Sequence, residues 1–396
     1  MAKIAILGIG VVGTGAAEIL RDNAPEVAAG AREPVELKYI LVRRDHPDSE
    51  FRDRQVFDFS VIENDPEISV VAECMGGCGD AYDYVSRALR AGKSVVTSNK
   101  ELIAEKGLEL LQLAKAKRVS LLFEASVGGG IPVIRPLSQC LRGNRISSVA
   151  GILNGTTNYI LTQMLQCGES FADCLREAQR LGYAEADPTA DVDGIDAGRK
   201  ICILADVCFG KNVSPSRVCA EGIRSVTAED AAFASEFGYA PKLLGRAEQR
   251  DGGELVFVAP HLVPAENMLA NVNGVMNAVV VNGNAVGECL FYGPGAGKKP
   301  TGSAVVADIM DAVRHETEKK YIDWSDGEDL LLLDPDDVPF RWYVRMDAAD
   351  GKTAQLGFER FSERGGECAG ITESISKKEL LSRLGRTPLS LMRIYG

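Results

Sequence analysis

Residues 185–200, EADPTADVDGIDAGRK, carry five carboxylates (Glu185, Asp187, Asp191, Asp193 and Asp196) ahead of Arg199 and Lys200. Pro188 and Gly194 interrupt the stretch, and Lys200 follows Asp196 by four residues. On a helix that spacing puts carboxylate and ammonium on one face. One reading is an exposed ion pair beside a solvated acidic loop. The other is a general acid or base. Burial lowers a lysine pKa and a neighbouring carboxylate raises it, so such a lysine can exchange a proton at a reacting oxygen. A second lysine, Lys100, closes VTSNK (96–100) at the C-terminal end of an expected parallel strand. Open α/β sheets bind their ligands outside the carboxyl ends of the strands. The three histidines, His46, His261 and His315, lie apart from these motifs, which leaves lysine as the acid/base candidate.

Hydride transfer to or from a carbonyl needs a proton donor or acceptor at the oxygen, and the first residues supply a site for the hydride carrier. In GIGVVG, Gly8 allows a tight turn, Gly10 lets the backbone approach a pyrophosphate, and Gly13 lets helix pack on strand. Val11 and Val12 complete the turn, and the helix TGAAEILRDNA that follows has free N–H groups and a positive dipole end that suit phosphate. The next strand ends in LVRRDHPDS, with Arg43 and Arg44 ahead of Asp45. A carboxylate there would hold the ribose 2′-hydroxyl of NAD, whereas an arginine pairs with the 2′-phosphate of NADP. The arginines favour NADP; NAD stays as the alternative, as does a plain solvated surface.

The elements needed to position these groups are legible in the hydrophobic pattern. KIAIL (3–7), VELKYILV (35–42), SVVAECMG (69–76), KSVVTSNK (93–100) and VSLLFEASV (119–127) read as strands alternating with helices, the rhythm of a doubly wound α/β domain. Beyond about residue 135 the rhythm changes. Two helices, 170–181 and 195–209, and the strands LVFVAPHLV (255–263) and NAVVVNG (277–283) suggest an α+β domain with an open sheet. YGPGAGKKPTGSAVVADIMDAV (292–313) reads as loop then helix, with Thr301 and Ser303 as cap candidates. Residues 324–339 read as a linker before a small α+β module.

Composition sets outer bounds. A chain of 396 residues with 45% hydrophobic and 25% charged residues buries ordinary cores in two or three domains. A net charge of −12 argues against nucleic acid or an anionic membrane as partner. Ten scattered cysteines without zinc spacing point to a reducing, cytoplasmic setting.

Several longer motifs carry a resemblance to homoserine dehydrogenase over about residues 1–320. GILNGTTNYIL (151–161) and GYAEADPTADVDGIDAGRKICILA (182–205) are the strongest; GIGVVGTG, VVTSNK, EASVGGGIP and GPGAG follow the family's order. The resemblance implies reversible interconversion of L-homoserine and L-aspartate 4-semialdehyde with NAD(P). It implies Lys200 as proton donor in reduction, Lys100 beside the hydroxyl and nicotinamide, Glu185 on the substrate ammonium, and Asp196 binding substrate and orienting Lys200. It brings Gly295 and Gly297 to the cofactor. It implies a monovalent cation, Na⁺ or K⁺, on the backbone carbonyls of Glu124, Val127, Gly129 and Ile131. Asn154, Thr156, Thr157 and Asn158 would border the substrate or cap a helix. The matching division is a Rossmann-type doubly wound domain (1–134, completed by 293–322), an α+β catalytic and dimerisation domain (135–292) and a shortened ACT-like module (338–396). Assembly would be a homodimer or homotetramer. The tail departs from the family pattern: WYVRMDAADGKTAQLGF lacks the proline–glycine turn and the first helix, which puts threonine feedback in question. Two rivals stand beside this reading: a related oxidoreductase for another amino-acid semialdehyde, and a silent NADP-binding regulator.

Overall fold

The computed structural model describes residues 1–319, 321–350 and 357–396. Six strands form a parallel sheet: β1 (Ala2–Leu7), β2 (Val35–Leu41), β3 (Gln55–Val56), β4 (Ile68–Glu73), β5 (Ser94–Thr97) and β6 (Leu121–Leu122). Their order is β3-β2-β1-β4-β5-β6, so the order in which strands are added reverses between β1 and β4. Ligands bind at such a switch point, outside the carboxyl ends of the strands. Helices α1 (Val11–Asp22), α2 (Ala24–Ala31), α3 (Ser60–Glu63), α4 (Gly79–Arg90) and α5 (Lys100–Lys117) connect them. β1 reads as an unbroken apolar run because both its faces are covered: Ile4 and Ile6 join one core cluster, Ala5 and Leu7 another.

The next segments are β7 (Ile146–Ile152), α6 (Gly155–Cys167), α7 (Phe171–Arg180), α8 (Thr189–Val192), α9 (Ile195–Phe209), β8 (Cys219–Ala220) and α10 (Ala228–Glu236). They are followed by a long hairpin, β9 (Tyr239–Arg250) with β10 (Gly253–Pro264), and by β11 (Met276–Gly283) and β12 (Gly287–Pro294). Helix α11 (Lys298–Arg314) then returns to the first sheet and crosses α1. The crossing is backbone to backbone. A methyl on Gly15 would lie 2.1 Å from the Lys298 carbonyl oxygen, and one on Gly302 would lie 2.7 Å from the Gly15 carbonyl carbon.

The tail contributes β13 (Trp342–Asp347), β14 (Arg360–Arg364), β15 (Glu367–Ile371), α12 (Lys377–Leu384) and β16 (Ser390–Ile394). These strands extend the second sheet, which runs β12-β11-β7-β9-β10-β16-β13-β15-β14 with β8 beside β10. The joint is a parallel pairing of His261 with Arg393 and Leu262 with Ile394. Arg393 is buried there, its guanidinium 2.9 Å from Glu221 and 3.1 Å from Asp336, and it lies over the Trp342 ring. The segment where a first helix was expected to be missing falls largely on 351–356, outside the described residues.

Several expected elements move. The strand read over 119–127 shrinks to Leu121–Leu122, because residues 124–126 turn into a 3-10 segment. The Glu124 carboxylate drives that turn by accepting the backbone N–H groups of Val133, Ile134 and Arg135 at 2.6–2.8 Å. Thr301 and Ser303 are not caps: α11 starts at Lys298 with Gly297 as its N-cap, and both lie inside the helix. Lys100 does not end a strand. It is the first residue of α5, whose N-cap Asn99 accepts the Leu102 N–H at 3.0 Å.

Candidate active site

Asp196 and Lys200 lie on α9, one turn apart, and both are buried. The Lys200 ammonium donates to Asp196 Oδ2 at 2.7 Å and to the Leu153 carbonyl at 2.8 Å. The other carboxylate oxygen of Asp196 pairs with Lys100, which reaches it from the first turn of α5. One buried carboxylate thus holds two ammonium groups, one from each sheet's set of helices. A second pair, Arg199 with Glu101 at 3.2 Å, ties the same two helices. Burial would raise the Asp196 pKa, but Lys200 and Lys100 outweigh it and hold the carboxyl well below the usual range. Burial, with the Lys100 charge adding to it, pulls the Lys200 ammonium below its ordinary value against the attraction of Asp196.

Asn154 caps a helix, one of the two roles open to it. As N-cap of α6 its side-chain oxygen accepts the Thr157 N–H at 2.9 Å. Its amide nitrogen donates to Asp196 at 3.0 Å and to Asp191 at 2.7 Å. Thr157 bonds back to Asn154, Thr156 donates to the Tyr183 carbonyl, and Asn158 donates to the Val272 and Met276 carbonyls. These three act as struts for the turn. Asn154→Ala removes a cap worth about 1 kcal/mol and a donor to two carboxylates; thermal unfolding should show a lowered Tm, and turnover should fall with it.

Of the remaining acidic residues in 185–196, Asp191 is the one drawn into the cluster, and burial pushes its carboxyl up. Asp193 instead pairs with Arg224 at the surface, and Asp187 accepts the Thr189 N–H at 3.1 Å. Glu185 is exposed and forms no ion pair among the described residues. Glu73 was not anticipated. It ends β4 fully buried, accepts from Thr97 and from the N–H groups of Met75 and Gly76, and burial raises its pKa. Thr97 in turn accepts the Asn99 N–H at 2.9 Å, and Asn99 donates to the Gly77 carbonyl at 2.7 Å. This network sets the start of α5 and so the direction of Lys100. The one sequence signal is a carboxylate ending the apolar run SVVAE.

The nucleotide side is built at the end of β1. Gly8 has φ +95°, and its N–H donates to the Leu41 carbonyl at 3.0 Å. A methyl on Gly13 would lie 2.0 Å from the Gly8 oxygen, whereas one on Gly10 would meet nothing within 4 Å. The turn is therefore tight inside and open outside, where Val11, the first residue of α1, is exposed. A cleft of about 630 Å³ adjoins it, lined by Gly8, Gly10, Arg43, Phe57, Met75 and Tyr84 among others. These features fit a dinucleotide: an open cradle for phosphate, aromatic surface for a base, and cations at the rim. His46, set aside as remote from any motif, also lines this cleft. Gly295 and Gly297 lie in the loop before α11, and the Gly130 N–H donates to the Pro294 carbonyl at 3.0 Å.

The comparisons with known proteins converge. A family model described as homoserine dehydrogenase matches residues 132–310, and one described as homoserine dehydrogenase, NAD binding domain, matches residues 8–124. A homoserine dehydrogenase of Pseudomonas aeruginosa is 43% identical, covering 98% of this chain and 91% of its own. One from Synechocystis sp. is 46% identical over 90% of this chain and 85% of its own. The crystal structure of a homoserine dehydrogenase from Thiobacillus denitrificans superposes with TM-score 0.93 at 36% identity, covering 100% of this chain and 98% of that one. A hyperthermophilic archaeal homoserine dehydrogenase in complex with NADPH superposes at 0.68 with 28% identity, over 81% and 99%. No helix among the described residues is long and apolar enough to cross a membrane. With matched regions spanning both sheets, the chain belongs to the homoserine dehydrogenase family, oxidoreductases acting on the CH–OH group of a donor.

Proposed function

We propose that the enzyme interconverts L-homoserine and L-aspartate 4-semialdehyde, with NADP as the preferred carrier, in the biosynthesis of threonine, methionine and isoleucine. The observation that carries this reading is the buried Asp196 carboxylate between Lys100 and Lys200. In the oxidative direction Lys200 Nζ takes the proton of the substrate hydroxyl as hydride leaves the carbinol carbon. In reduction it returns that proton to the aldehyde oxygen. Asp196 keeps the two ammonium groups together, and Lys100 stabilises negative charge developing on the oxygen. Glu185 is assigned to the substrate ammonium and Asp196 to binding substrate and orienting Lys200; Glu185 must turn inward from its exposed position. NADP, when bound, supplies the hydride acceptor; Gly8, Gly10, Val11, Val12 and Gly13 would hold its pyrophosphate and Arg43 its 2′-phosphate. Gly295 and Gly297 would close on it from the loop before α11.

Purified enzyme mixed with L-homoserine and NADP⁺, then NAD⁺, should yield reduced nicotinamide by absorbance; silence with both cofactors would refute the reading. A pH profile adds a second test. Homoserine oxidation needs Lys200 neutral, so kcat should rise as pH climbs through the pKa of Lys200. That limb should fall below 10.5, the ordinary lysine value, because burial lowers it. An oxidation limb at or above the ordinary value would remove Lys200 from this role.

A monovalent cation, Na⁺ or K⁺, has support in the main chain. The carbonyls of Val127, Gly129 and Ile131 accept no hydrogen bond from the described residues, and an oxygen-only set suits a hard ion. The Glu124 carbonyl would complete the set. Among the described residues no cluster of His, Cys, Asp or Glu of metal-binding size occurs, so this ion would rest on backbone alone. The division into residues 1–134 with 293–322, 135–292 and 338–396 is proposed on the same footing, as are the ACT-like character of the last unit, its role in assembly and a cytoplasmic setting. A homodimer or homotetramer is favoured by the sheet edge at β12, where Tyr292 is exposed.

A further inference from the structure

One residue lining the cleft beside the Gly8–Gly10 turn, Arg43, is bound to a carboxylate from another segment. Arg43 follows β2, Asp80 lies in the first turn of α4 after β4, and their side chains meet at 2.6 Å. In the sheet β2 and β4 flank β1. A bond between the segments that follow them therefore passes over the C-terminal end of β1, where the glycine turn opens. Asp45, the carboxylate nearest Arg43 in sequence, is not its partner; it is held by Arg52 at 2.8 Å. Arg44 lines the same cleft and forms no ion pair among the described residues.

We propose that Asp80 is a specificity-determining residue for the dinucleotide, competing with the 2′-phosphate for Arg43. This rests on the reading that Arg43 faces that phosphate. The Nη2 donor of Arg43 that Asp80 holds is not free for a phosphate oxygen, and an Asp80 carboxylate beside a bound 2′-phosphate lies near a dianion of like charge. NAD carries only a hydroxyl at this position and leaves the Arg43–Asp80 pair intact. Asp80 thereby narrows the preference for NADP that Arg43 alone would set. The side chains are 86% and 56% exposed, so the pair is weak and breakable and acts as a bias, not a block.

The test is equilibrium binding of NADPH and NADH, followed by nicotinamide fluorescence, with 2′,5′-ADP and 5′-AMP as competitors. Asp80→Asn should tighten NADPH and 2′,5′-ADP by about two- to five-fold at low salt. It should leave NADH and 5′-AMP unchanged, and the gain should shrink at high ionic strength. Arg43→Gln should weaken NADPH relative to NADH and cancel the effect of Asp80→Asn in the double variant. If Arg43→Gln shifts the NADPH-to-NADH ratio and Asp80→Asn does not, the role of Asp80 is overturned alone. If neither variant shifts the ratio, the assignment of Arg43 falls with it.

Discussion

Lys200→Met is expected to lower kcat for homoserine oxidation by about 10²- to 10⁴-fold, the range of a lost general base, while NADPH affinity stays within two-fold of the parent, roughly the scatter of an untouched site. Methionine keeps an unbranched stem of similar bulk, so the packing around α9 survives. Asp196 is left with Lys100 and Asn154 as partners, so its buried charge is not orphaned. What disappears is the titrating nitrogen between the Leu153 carbonyl and Asp196. Lys200→Arg separates charge from proton exchange: the guanidinium keeps the positive charge and does not give up its proton in the working range. Arginine should therefore be nearly as inactive as methionine in oxidation. Steady-state kinetics with both substrates, with cofactor binding measured separately, reads both variants. An arginine variant with near-parental kcat would mean that Lys200 serves by charge alone.

The second large effect belongs to the glycine turn, where two neighbouring alanine substitutions should fail differently. Gly13→Ala places a methyl 2.0 Å from the Gly8 carbonyl oxygen, and that atom belongs to backbone held by the Leu41 carbonyl. Strand and helix must part, at a cost of about 3 kcal/mol, the upper end for overpacking. A lowered Tm should appear without any ligand. Gly10→Ala meets nothing within 4 Å and should lower Tm far less, by no more than the modest cost of a poorer N-cap for α1. Its methyl instead occupies the approach to the phosphate, so NADPH affinity should fall by at least about ten-fold, 1.4 kcal/mol. Differential scanning fluorimetry and cofactor titration together separate the two. If Gly10→Ala bound NADPH as tightly as the parent, the pyrophosphate would lie elsewhere.

The doubly wound half was legible because its signals are local. Apolar runs, a glycine turn and a following helix sit within a few residues of each other, and β1, β2, β4 and β5 arise close to where the pattern puts them. The pairing of Asp196 with Lys200 was legible for the same reason, since four residues on a helix is a local distance. That Lys100 joins the same carboxylate follows only from the packing of α5 on α9. Asp191 and Glu73 were passed over because each acquires its role from a distant partner, Asn154 in one case and Thr97 in the other. The strand expected through residue 127 fails for a related reason: Glu124 looks like one polar residue in an apolar run, yet its carboxylate gathers three backbone N–H groups from 133–135 and bends the chain. The union of tail and second sheet is a tertiary fact, carried by two residue pairs between β10 and β16.

That union has a consequence for how the polypeptide acquires its shape. β10 emerges during synthesis long before the strand that will lie against it, so its flank near His261 and Leu262 stays uncovered until residues 393 and 394 arrive. A nascent or proteolysed chain lacking them would offer bare main-chain donors and acceptors to any neighbour, beside a site where Glu221 and Asp336 had lost Arg393 and kept Lys377.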